Sequence, residues 1–120
     1  MYTIGISAFY HDSAICILKN GKILECVQEE RFSRIKHDER FPTKSLNYCI
    51  KKYKINLSEI NNFVFYEKPF VKFERILETY FAFAPFGFVS FFKSMPIWVK
   101  NKLFQKQIII KELQKYFQNQ

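Results

Sequence analysis

A histidine, a carboxylate and a hydroxyl follow one another at His11-Asp12-Ser13, and together they could move a proton, meet a cation and hold an oxyanion. A neutral imidazole, with an unperturbed pKa of about 6.5, is the side chain suited to taking a hydroxyl proton near neutrality. A carboxylate suits phosphates' metal ions, because hard cations favour its oxygens. A hydroxyl beside turn N–H groups can cradle an anion. The neighbours Ser7, Ala8 and Ala14 are small enough to let a ligand approach the backbone. A purely structural turn would more often use Gly, Asn or Pro. The plain alternative for His11 is a surface imidazole hydrogen-bonded to Asp12.

A second chemical stretch lies at 29–40, where four acids and four basic residues stand with His37 and little that is apolar. One reading is a solvated loop that pairs its own charges and adds little stability. The other is an anion site. Arginine meets phosphate or carboxylate in a bidentate fork, and Arg31, Arg34, Lys36 and His37 are the candidates. His37 carries less weight than His11, because a histidine inside a charge run is usually solvated.

These residues need elements to hold them. The run 2–7 is rich in β-branched residues, 14–18 and 22–28 are apolar, and Asn20-Gly21 between the last two is a strong hairpin signal, since both turn residues must accept φ > 0. Three antiparallel strands follow, with His11-Asp12-Ser13 in the first turn. Thr43 is placed as a helix N-cap. Leu46, Cys49, Ile50 and Tyr53 recur at helical spacing, with Lys51, Lys52 and Lys54 at the end favoured by the helix dipole. After a connector at 58–60, Phe63–Tyr66 reads as a strand. A helix between two strands is a crossover, so this fourth strand lies parallel to an earlier one. The fold class is α/β. Hairpin strands followed by a parallel crossover strand and then helices are the opening of an actin-like ATPase (ribonuclease H-like) fold. The chain divides into a hairpin-and-crossover unit, 1–69, and a mostly helical segment, 70–120.

In the second segment Phe73, Ile76, Leu77, Tyr80 and Phe81 share a helix face, and Pro85-Phe86-Gly87 ends that helix. Residues 88–93 and 96–104 read as two short aromatic segments and 108–117 as an amphipathic one. Phe81, Phe83, Phe86, Phe88, Phe91, Phe92 and Trp98 exceed what a small isolated domain buries, so part of this surface is expected to pack on further chain.

Composition narrows the class. With 120 residues, 48% of them hydrophobic and 19% aromatic, the chain can bury a core and is one domain or part of one. The net charge of +8 arises mostly late, where lysines stand singly among Leu, Ile and Phe. That suits the wet faces of helices and argues against nucleic acid. The three cysteines, Cys16, Cys26 and Cys49, show no metal-ligand spacing. Each falls inside an expected strand or helix, where cysteine behaves as a small buried apolar residue. An odd count without a secretory signal fits a reducing cytoplasm. The longest uncharged aromatic run, 80–92, contains Pro85 and Gly87 and is shorter than the ~20 residues of a membrane span.

The residues Gly5 to Ala14, followed by Gln28-Glu29-Glu30-Arg31-Phe32-Ser33-Arg34-Ile35-Lys36-His37-Asp38, also carry a resemblance. They are similar to the amino-terminal signature of the O-carbamoyltransferases, the nodulation-type and antibiotic-tailoring enzymes. Phe41-Pro42, the strand end Phe63–Pro69, Phe73-Glu74-Arg75, Ala84–Phe88 and Met95–Trp98 continue the likeness, to about Leu103. The resemblance implies ATP-dependent transfer of a carbamoyl group from carbamoyl phosphate, through carbamoyl-adenylate, to the hydroxyl of a small molecule. His11 would then be the general base. Asp12, Ser13, Arg31, Arg34, Lys36 and His37 would serve the nucleotide and its phosphates, whereas the family's carbamoyl-phosphate site lies in a large carboxy-terminal domain. It implies a divalent metal too, but the family's His-His-x-x-Ser-His-Ala-Ala motif is not in this chain, and no metal ligand carries over to His11 or His37. Family members are several times longer. The expectation is an amino-terminal part, inactive alone and completed by a carboxy-terminal portion or a complementing chain. The alternative is a non-catalytic nucleotide-binding or interaction module.

Overall fold

A computed structural model describes residues 1–100 and 104–118, apart from the side chains of residues 69 and 98. Two compact units divide at 66/67.

The first unit is a mixed four-stranded sheet in the order β3-β2-β1-β4. Strands β1 (Tyr2–Ser7), β2 (Ala14–Lys19) and β3 (Lys22–Gln28) are antiparallel neighbours, and β4 (Ile60–Phe65) lies parallel to β1. The Asn20-Gly21 turn has φ of 51° and 79°, the doubly positive conformation that matches the twist of a hairpin. Alternation sorts the faces. Ile4, Ile6, Ile15 and Ile17 are buried on one side, where α2 (Thr43–Tyr53) lies against β2 and β3 and buries Leu46 and Cys49. A four-residue helix, α1 (Glu30–Ser33), follows β3. A 3-10 turn, Leu57–Glu59, leads into β4.

Several expectations change. Strand β4 begins at Ile60 and stops before Tyr66. Its register against β1 steps from Ile60 to Asn62, which leaves Asn61 as a bulge. Thr43 is not the N-cap of α2 but its first residue. Its hydroxyl turns back to the Phe41 carbonyl, 3.4 Å away, and the cap comes from Glu29. Cys26 is exposed and Cys16 only half-buried, whereas Cys49 is buried as expected. The cause is the two-residue period: Ile15, Ile17 and Val27 take the face under α2, so Cys16 and Cys26 take the other.

The second unit contains α3 (Pro69–Phe83), α4 (Phe88–Trp98) and α5 (Gln105–Gln118). The break falls at 84–87, where Gly87 adopts φ of 80°. Tyr80 of α3 stacks on Phe91 of α4 with ring centroids 4.1 Å apart. Pro96 does not open a separate segment but sits inside α4. The expected segment 96–104 otherwise runs into residues 101–103, outside those described. Phe81, Phe83, Phe86, Phe88 and Phe92 are largely exposed. Helix α5 starts three residues before the expected 108 and buries Ile109, Leu113 and Tyr116 along one stripe. Among the described residues no helix is long and apolar enough to cross a membrane.

Candidate active site

The turn between β1 and β2 is fixed by a loop that arrives from far along the chain. The Phe9 N–H donates to the Glu39 carbonyl and the Ser13 N–H to the Asp38 carbonyl, both at 2.8 Å. The Glu29 N–H donates to the Ser13 carbonyl at 2.8 Å. The loop 34–41 thus lies along the turn 9–13 and brings His37 to Asp12. Phe9, Asp12, Arg34 and His37 all have positive φ, between 56° and 67° except for Asp12 at 54°. Arg34 takes this conformation as the C-cap of α1, and Asp12 and His37 are of types that adopt it more readily than most.

Two anchors hold the loop. Asp38 is buried and receives Nε and Nη2 of Arg40 at 2.9 and 2.6 Å, with the Arg40 backbone N–H at 3.1 Å. The Arg40 guanidinium, above all, holds this carboxyl far below the usual carboxylate range, although burial opposes it. Glu29, also buried, accepts the backbone N–H groups of Lys44 and Ser45 at 3.0 and 2.8 Å. These are orphan donors of the first turn of α2, and an anion there also meets the positive end of the helix dipole.

Asp12 sits between two imidazoles. Its Oδ1 lies 2.9 Å from Nδ1 of His37 and its Oδ2 2.7 Å from Nδ1 of His11. Both contacts, the His37 one first, hold the Asp12 carboxyl below its ordinary value. An ionised carboxylate can only accept, so Nδ1 carries the hydrogen in each neutral ring and Nε2 keeps its lone pair. Nε2 of His11 has no protein partner among the described residues, and the ring is exposed beside Tyr10, with centroids 4.4 Å apart. The imidazole is held at one nitrogen and open at the other.

The remaining candidates separate. Arg31, Arg34 and Lys36 are exposed and make no ion pair among the described residues, so their charges are available to an anion. The His37 backbone N–H donates to Glu30 at 3.2 Å. Ser13 is buried and its N–H is engaged by Asp38, so it faces the interior. Sequence reasoning missed Glu29 and Asp38 as anchors. Nothing local marks them out, because each has meaning only against a distant segment.

Among the described residues no group of three or more His, Cys, Asp or Glu side chains is placed to hold a metal ion. Both oxygens of Asp12 already meet imidazoles. The described residues do not make a metal site.

A hairpin sheet extended by a parallel crossover strand, with an imidazole–carboxylate–imidazole set where its first turn meets the loop 34–41, defines an α/β unit carrying a candidate histidine–carboxylate site. The chain belongs to the carbamoyltransferase N-terminus family, whose model matches residues 2–119. It is 53% identical over 112 residues, 93% of this chain, to the uncharacterized protein sll1178 of Synechocystis, of which the match covers 18%. It is 35% identical over 60 residues, half of this chain, to the nodulation protein NolNO of Sinorhizobium fredii, covering 9% of that protein. An uncharacterized 19.2 kDa protein of Rhizobium etli is 33% identical over 60 residues, covering 35% of its length. The chain therefore spans well under half of each of these relatives.

Proposed function

We propose that this chain supplies the proton-transfer wall of an ATP-dependent O-carbamoyltransferase, the transfer passing from carbamoyl phosphate through carbamoyl-adenylate to a small-molecule hydroxyl. The observation that carries the reading is the contact between Nδ1 of His11 and Asp12 at 2.7 Å, which fixes the ring with Nε2 open. As the acceptor oxygen attacks the carbamoyl carbon, Nε2 takes the hydroxyl proton. The new C–O bond forms, the bond from that carbon to the adenylate oxygen breaks, and AMP leaves. Arg31, Arg34 and Lys36 stand on the neighbouring loop as partners for phosphate oxygens. The hairpin and crossover order supports the actin-like ATPase fold as the frame, with the turn bordering the nucleotide.

Two roles are open to Asp12. One is the orienter of His11, which its two imidazole contacts favour. The other is a place beside the phosphates, which its position on the turn favours. A cleft enzyme needs a second wall, so the 120-residue chain is proposed to be inactive alone and to work with the remainder of a longer family protein or a complementing chain.

The test joins this chain to the remainder of the Synechocystis relative and follows pyrophosphate release and carbamoylated product separately, with ATP, carbamoyl phosphate and a panel of hydroxyl acceptors. With His11→Asn, adenylation should persist and transfer should fall by ~10²–10⁴, the usual worth of general acid–base catalysis. Loss of both steps would remove His11 from the role of base. With Asp12→Asn, loss of transfer alone fits the orienter, and loss of pyrophosphate release fits the phosphate-side role. Product formed by the unjoined 120-residue chain would overturn the proposed inactivity.

A further inference from the structure

The two thiols on the hairpin face opposite α2 stand across from each other. Cys16 of β2 and Cys26 of β3 are register partners, and their Sγ atoms are 2.7 Å apart. Directly opposed Cα atoms in an antiparallel pair are about 4.5 or 5.5 Å apart, depending on the type of pair. Both distances lie inside the span of about 4.4–6.8 Å that a disulfide bridges. Cys26 is exposed, and Cys16 is half-buried. Cys49, the third thiol, is buried within α2.

We propose that Cys16 and Cys26 form a redox-active dithiol that a small-molecule disulfide converts to a cross-strand disulfide. This inference is independent of the carbamoyl-transfer reading.

The order of events follows from the environments. Burial, and then the neighbouring Cys26, push the Cys16 thiol up to about 12, so Cys16 is a poor first nucleophile. Cys26, being exposed, attacks one sulfur of the oxidant. The oxidant's S–S bond breaks, a mixed disulfide forms on Cys26, and one small thiol leaves. Cys16 then attacks the Cys26 sulfur and expels the second small thiol. Two protein thiols are oxidised to one disulfide, the oxidant is reduced to two thiols, and those thiols take up both protons.

The position gives the bond a consequence. On the far side of Cys16 the β2–β3 register slips between Ile17 and Leu18. On the near side the strands run to Ala14 opposite Gln28, next to Ser13 and Glu29. The disulfide lies between the irregularity and the candidate site, so it pins the register of the two strands that adjoin Ser13 and Glu29.

The test incubates the reduced 120-residue protein with oxidised glutathione under exclusion of air. Free thiols should fall from the three of the sequence to one. Proteolytic mapping should find Cys16 joined to Cys26, and a thiol reductant should reverse it. Backbone amides of Ile15, Ile17 and Val27 should exchange more slowly in the oxidised form. Cys49→Ala should close the same bond, whereas Cys16→Ser should stop at a glutathione adduct on Cys26. Three thiols remaining, a stable adduct on wild-type Cys26, a bond to Cys49, or a disulfide between two molecules would each overturn the proposal. The mapping needs no variant, so a substitution that fails to fold leaves the test intact.

Discussion

The carboxylate of Glu29 caps a helix that begins fourteen residues later: its oxygens accept the N–H groups of Lys44 and of Ser45, the latter at 2.8 Å. Helix caps are usually supplied by the residue just before the first turn. Here Pro42 occupies that position and has no side-chain oxygen to offer. The residue just past β3 replaces it, and this contact ties the end of the sheet to the start of α2.

Glu29→Ala should therefore destabilise the protein by about 1–3 kcal/mol, the cost of leaving buried donors unpaired. Glu29→Gln keeps one acceptor oxygen and should cost less. Urea unfolding of both variants checks the order. A loss confined to about 0.5 kcal/mol in the alanine variant, the range of a surface substitution, would show that water replaces the cap.

Asp38 makes the stability acid-sensitive. Its carboxyl ionises far below the ordinary 3.8 of an aspartate because of Arg40. A depressed folded pKa gives stability that is fully present above 3.8 and lost as pH falls toward the folded value. Asp38→Asn should cost about 1.5–3 kcal/mol at neutral pH, the worth of hydrogen bonds to charged groups. It should also flatten the acid limb of a stability–pH curve. An unchanged acid limb would show that other carboxylates set it.

The pair of imidazoles on Asp12 predicts an ordered set of titration shifts. His37 is the larger cause of the lowered Asp12 ionisation and His11 the smaller. Carbon-detected NMR should show the Asp12 carboxyl titrating below 3.8. His37→Asn should move it upward more than His11→Asn does. The reverse order would mean that the loop 34–41 does not hold His37 on the turn.

Two glycines should respond with opposite sign. Gly21 has φ of 79°, where a Cβ is strained whatever space surrounds it, and Gly21→Ala should cost about 1 kcal/mol. Gly5 has an ordinary strand conformation, and a Cβ there would meet Cys16 at 3.6 Å, a normal contact. Gly5→Ala should stabilise by about 0.5–1 kcal/mol, because glycine in a strand interior is entropically costly. Thermal unfolding of the two variants decides both signs.

Local signals were enough for the sheet. The β-branched runs, the Asn20-Gly21 turn and the helical spacing of Leu46 and Cys49 place β1, β2, β3 and α2, and the crossover makes β4 parallel, because each rests on neighbours a few residues apart. The content of the His11-Asp12-Ser13 turn also makes it the candidate for chemistry. It could not show that His37 meets Asp12 across twenty-five residues, that Glu29 caps α2, or that Asp38 is buried under the turn. Those contacts join segments with no shared periodicity, and charged residues in a run read as solvated until a fold removes water from two of them. The cysteines make the same point from the other side. Their place in strands is local, but whether each faces α2 or solvent depends on which side of the sheet the helix covers, and only the tertiary structure decides that.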